Sequence, residues 1–163
     1  MDASVIYHSQ FGNTRQIAEA IVEVFQGAGT ARMLSADQLV ATELQDFDLV
    51  VMGAPTHKMN LPEAVRPVFD DLPRCVLRGV AVAAFDTSYE MSAFLARFTA
   101  AKRIDRQLRK LGGRRLVPSE TFYVHRHHEG PLLDGEIERA KEWAEAILAE
   151  YRRVSEREQA RRR

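Results

Sequence analysis

Apolar positions along this chain switch between two periods about five times. Short continuous runs alternate with stripes spaced three and four apart. Leu49–Gly53 and Val80–Phe85 are unbroken apolar runs, the pattern of parallel strands covered on both faces. Ala3–Tyr7, Thr30–Leu34 and Leu116–Val124 complete a predicted set of five strands, and Pro118 marks the last as an edge strand. Between them, Ile17, Ala20, Ile21, Val24 and Phe25 form one helical stripe, with Glu19, Glu23 and Gln26 opposite. A second helix is predicted from Pro62 through Val65, Phe69 and Leu72. A third runs from Phe94 through Phe98, Ala101, Ile104 and Leu108 to Leu111, stopped by Gly112-Gly113. The last carries Ile137, Ala140, Ala144, Ile147, Leu148 and Tyr151, with Asp134 as the predicted N-cap. Ala36–Asp46 is read as one short helix.

Strands alternating with helices give a doubly wound α/β sandwich. In such a sheet, ligands sit beyond the carboxyl ends of the strands, where strand order reverses. The loops that come after the strands are therefore the places to search. A length of 163 residues fits one domain, assigned to 1–151. The basic tail 152–163 has no apolar stripe after Val154 and is expected to fray.

Composition narrows the function. Lys and Arg number 23, as do Asp and Glu, so the formal net charge is zero. That argues against whole-chain electrostatic binding to nucleic acid or membrane. The charge is nevertheless polarised: residues 1–73 hold 4 basic and 10 acidic side chains, and residues 74–163 hold 19 and 13. The lone Cys75 forms no internal disulfide, which suits a reducing compartment. The start, Met1-Asp2-Ala3, lacks the basic opening and longer apolar stretch of a signal peptide. No apolar run approaches the roughly 20 residues that span a bilayer, and a cytoplasmic setting is expected.

Chemistry concentrates in three loops. After the first strand, Ser9-Gln10-Phe11-Gly12-Asn13-Thr14 leads straight into a helix. Unpaired N–H groups and the positive dipole end make that junction an anion site, and Gly12 permits a tight turn. Ser9, Asn13 and Thr14 are candidate side-chain donors. No lysine stands in the loop, so it is not a nucleotide-triphosphate loop. After the third strand comes Pro55-Thr56-His57-Lys58-Met59-Asn60, and after the fourth Asp86-Thr87-Ser88-Tyr89-Glu90.

The first loop resembles the [ST]-x-[TFY]-G-N-T phosphate loop of the flavodoxin family, which cradles the phosphate of FMN. The second is similar to the G-[ST]-P-T-x segment that flanks the flavin, and the third to the D-x-S-Y-E segment. The resemblance covers the chain from Ala3 to about Tyr151. It implies a three-layer α/β/α fold with a five-stranded parallel sheet in the order 2-1-3-4-5. It implies FMN as cofactor, held by Ser9, Gln10, Phe11, Gly12, Asn13 and Thr14 at the phosphate. Pro55, Thr56, His57, Lys58, Met59 and Asn60 would flank the ring. Asp86, Thr87 and Ser88 would lie along its edge, with Tyr89 stacked on its face. The chain departs from the pattern in having no Trp in the second loop and no Cys-Gly pair after Tyr89. His57 and Lys58 predict a raised flavin potential, opposed by Asp86 and Glu90.

The implied function is electron transfer to a partner protein with a basic face. Two alternatives stand beside it: an NAD(P)H-dependent FMN reductase acting on quinones, and a protein-binding module without flavin. His125, His127, His128 and Glu129 read as a solvated post-strand loop, with metal binding and contact with a partner or substrate as the alternatives. Lys102, Arg106 and Arg109 recur at helical spacing, joined by Arg103, Lys110, Arg114 and Arg115. That face is either solvated or a docking surface for an acidic partner or RNA, and no interleaved aromatics support base stacking.

Overall fold

A computed structural model describes residues 1–39, 41–56, 60–92, 94–125 and 130–161. The elements are β1 (Asp2–Tyr7), α1 (Asn13–Gln26), β2 (Thr30–Ser35), β3 (Leu49–Pro55), α2 (Arg66–Asp70), β4 (Ala81–Ser88), α3 (Ala100–Lys110), β5 (Arg114–Arg115), β6 (Glu120–Tyr123) and α4 (Glu136–Arg161). The sheet order is β2-β1-β3-β4-β5, with β6 also paired to β4. Every ladder is parallel. β5 and β6 lie on the same side of β4, at Ala81–Val82 and Phe85–Ser88 respectively. They are one fifth strand broken around Pro118, and the predicted order 2-1-3-4-5 holds.

Burial follows from the apolar runs. All eight residues of β4 and the first six of β3 are buried, as central strands require. One core lies between the sheet and α1 and α4, built on Val5, Ile17, Ile21, Phe25, Val51 and Ile147. The other lies under α3, with Ile6, Val50, Met52, Val82, Ile104 and Leu108. Helices thus cover both faces and give three layers. In the first core, the rings of Phe85, Phe122 and Trp143 meet edge to face at centroid distances of 6.0–6.2 Å. Gly53 makes room for this cluster: a Cβ there would stand 2.1 Å from the Phe85 ring.

Several predicted elements differ in the structure. The helix expected from Pro62 shrinks to α2, with a turn at Pro62–Val65 before it. The helix expected from Phe94 is divided. A 3₁₀ turn covers Leu95–Phe98, Thr99 is extended, and α3 begins at Ala100. Phe94 and Phe98 form an exposed edge-to-face pair instead of joining the core. The Ala36–Asp46 region is two 3₁₀ turns, Ala36–Gln38 and Ala41–Asp46, rather than one helix. The carbonyl of Gly135 accepts the first bond of α4, from Arg139 N–H, so Gly135 and not Asp134 occupies the cap. α4 continues to Arg161 through the segment expected to fray, with ion pairs Glu150–Arg153 and Arg114–Glu158 along it.

Candidate functional site

Order reverses between β1 and β3: β2 lies on one side of β1, and β3 and β4 lie on the other. At the carboxyl ends of these strands is a cleft walled by four segments. They are Ser9, Gln10, Phe11, Asn13 and Thr14 from the first loop, Pro55 and Thr56 from the second, Thr87 and Ser88 from the end of β4, and Val124. Described residues of all three loops therefore meet at the reversal of strand order, where ligands commonly sit in such sheets.

The first loop is shaped by Gly12, at φ 89°, a left-handed conformation that favours glycine. Its N–H donates to Ser9 Oγ at 3.0 Å, closing the turn, and its carbonyl accepts Gln16 N–H. No side chain caps α1, and no acidic residue stands in its first turn. The backbone donors and the positive dipole end are thus left for a ligand. Nothing lies within 4 Å of where a Gly12 Cβ would be, so the approach is open.

Side chains of this loop also bind within the protein. Asn13 Nδ2 donates to the Gly130 carbonyl at 2.8 Å, and the hydroxyls of Thr14 and Thr87 meet at 2.8 Å. Both residues are buried. They tie α1 to the loop before α4 and to β4, at the wall of the cleft. Gln10 and Phe11 are exposed at the rim. His8, just before the loop, is held below its ordinary pKa by burial, against the opposing pull of Asp37.

The second and third loops meet at a buried knot. Asp86 Oδ2 accepts the Thr56 hydroxyl at 2.6 Å and Ala101 N–H at 3.0 Å. Thr56 Oγ1 accepts Ala100 N–H at 2.8 Å, and Thr56 N–H donates to the Thr87 carbonyl. The N-terminus of α3 is thus capped by the second loop and by β4, not by its own Thr99. Burial raises the Asp86 carboxyl above the usual carboxylate range, and bonds from Thr56 and Ala101 pull the other way. Asp86, expected along a ligand edge, is fully buried and faces inward. The Thr56 hydroxyl is likewise consumed inside the protein.

Thr87 and Ser88 line the cleft. Tyr89 comes next, half-buried, and its carbonyl accepts the Ser88 hydroxyl. Asn60 folds its side-chain oxygen back onto Leu61 N–H. His57, Lys58 and Met59 lie outside the described residues, as do His127, His128 and Glu129. Among the described residues no three His, Cys, Asp or Glu converge on a metal position. No helix among them is long and apolar enough to cross a membrane. Sequence reasoning missed Val124 as a wall and Gly130 as the acceptor that fixes Asn13. Nothing in the order of residues joins Gly130 to position 13.

Comparison with known proteins agrees with this architecture. A flavodoxin from Picosynechococcus sp. (strain ATCC 27264 / PCC 7002 / PR-6) is 28% identical over 82 residues, covering 50% of this chain and 48% of that protein. The chain thus matches about half the length of that curated relative. Flavodoxin 1 of Bacillus cereus superposes with a TM-score of 0.73 at 17% identity, over 91% of this chain and 98% of that one. A flavodoxin from the domain Archaea gives 0.75 at 19% identity, over 93% and 99%. Rubredoxin oxygen:oxidoreductase from Desulfovibrio gigas gives 0.73 at 16% identity, covering 93% of this chain but 36% of that larger one. The Flavodoxin family model matches residues 5–143, and the chain belongs to the flavodoxin family.

Proposed function

We propose that this protein binds FMN in the cleft between the three loops and carries electrons to a partner protein. The observation that carries the reading is the uncapped start of α1 opening into a cleft at the reversal of strand order. That junction fits a phosphate: Gly12 leaves its approach open, and the first turn holds no competing carboxylate. When bound, FMN supplies the one- and two-electron chemistry. The chain supplies position. The Ser9-to-Thr14 loop takes the phosphate. Pro55, His57, Lys58, Met59, Asn60, Thr87, Ser88 and Tyr89 would hold the ring. Asp86 acts one layer further in, and through Thr56 at the cleft wall it fixes the second loop to α3.

The exposed Glu63 and Glu90, beside the second and third loops, suit a partner with a basic face. A reducing, cytoplasmic setting suits the exposed free thiol of Cys75. The test is the visible spectrum after FMN addition and gel filtration. Flavin bands that travel with the protein support the reading. Absence of retained flavin, with FMN in excess, overturns it.

A further inference from the structure

The two flanks of α3 differ in charge. On one, Asp105 is buried and pairs with Arg109 at 3.3 Å and with Arg115 at 3.6 Å. On the other, Arg103, Arg106 and Lys110 recur three and four residues apart and face α2 across a groove of about 360 Å³. Arg66 enters from α2, and Phe69 and Leu61 are apolar parts of the wall. Asp70 is the single acidic residue on the wall. Among the described residues, none of Arg66, Arg103, Arg106 and Lys110 has an ion-pair partner. The Nε–H of Arg103 is buried with no acceptor. Four cations against one anion thus share a concave surface, while arginines 109, 114, 115, 139 and 153 are paired elsewhere. The groove shares Asn60 and Leu61 with the hollow that reaches His8 and Gln10, so it opens beside the candidate site.

We propose that the groove between α2 and α3 docks an acidic segment of a protein partner. A chain fits better than a compact anion because the cations are strung along two turns of α3 and across to α2, with apolar wall between them. That this partner receives electrons rests on the electron-transfer reading; the acidic chemistry of the segment does not. The partner's face is then bipolar, with a basic part opposite Glu63 and Glu90 and an acidic part in the groove.

A fluorescein-labelled oligoglutamate peptide, titrated into the full chain and monitored by anisotropy, tests this. Saturable binding that weakens with added salt is expected. Arg66→Ser with Arg106→Ser, both exposed, weakens it about tenfold or more. Arg152→Ser with Arg157→Ser, which removes the same charge from the far part of α4, leaves it within about twofold. Three results overturn the proposal: no wild-type binding at low salt, equal weakening by both pairs, or displacement by inorganic tripolyphosphate at concentrations below the peptide's own. The last would assign the groove to a phosphate ligand. Flavin retention, read in the same samples, separates the two ideas: peptide binding without retained flavin keeps the groove and sinks the redox reading.

Discussion

Replacing Asp86 by alanine removes the acceptor on which the second loop and α3 both depend. Two buried donors lose their partner, the Thr56 hydroxyl and Ala101 N–H. Each orphaned buried donor costs about 1–3 kcal/mol, so the variant should lose about 4 kcal/mol of unfolding free energy. For a chain of this size that lowers the melting temperature by roughly 8–16 °C. Asparagine should behave differently. It keeps an acceptor oxygen for both donors, and its amide can donate to the Thr99 hydroxyl oxygen beside it. Asp86→Asn is therefore expected within about 1 kcal/mol of wild type. Urea unfolding monitored by Trp143 fluorescence measures all three. The sign of the pH effect is a second handle. Because the folded pKa is raised, the fold takes up the proton more readily than the unfolded chain. The contribution of Asp86 is then fullest below 3.8 and declines as pH rises through its folded value. That decline should be absent in Asp86→Asn. An alanine variant losing less than about 1 kcal/mol, or an asparagine variant as damaged as alanine, refutes the reasoning.

Four further outcomes are expected. Gly53→Ala drives a methyl into the Phe85 ring, which Phe122 and Trp143 hold in place, and should cost about 1–3 kcal/mol by thermal melting. Gly12→Ala meets no steric neighbour but must keep φ 89°, so it should lose about 1–2 kcal/mol, while Gly12→Asn loses less. His8 has a lowered folded pKa, so its contribution to stability is present above about 6.5 and is lost as pH falls through the folded value; His8→Gln should flatten that slope in pH-dependent melting. Truncation after Tyr151 removes the Arg114–Glu158 and Glu150–Arg153 pairs and should cost under about 1 kcal/mol, leaving residues 1–151 as a folding domain.

β3 and β4 were legible in the sequence because a strand buried on both faces needs an unbroken apolar run. The three loops were legible because each comes directly after a predicted strand. What failed was the reading of apolar spacing as burial. Phe94 and Phe98 recur at helical intervals with Ala101 and Ile104, yet both are exposed. The break between them and α3 is set by Thr56 and Asp86, which seize the N–H groups of Ala100 and Ala101. That contact joins positions 44 and 15 residues apart, and no local pattern carries it. The same knot explains why Asp86 was assigned to the ligand edge: its place after a strand was visible, its direction was not. Arg109 was grouped with the basic stripe by spacing, but Asp105 neutralises it from within the same helix.

The broken fifth strand also bears on how copies of this chain avoid sticking together. An open strand edge is a template for another molecule's backbone. Here the outward groups of β6 are already engaged by the segment running into α4 and by its first turn. Thr121 O accepts the Arg139 guanidinium, Tyr123 N–H donates to Glu136, and Tyr123 O accepts Leu133 N–H. Val124 then bridges to Leu132. Upstream, β5 is two residues long, too short to recruit a neighbouring ladder. The chain thus closes one side of its own sheet against aggregation with the residues that lead into its last helix.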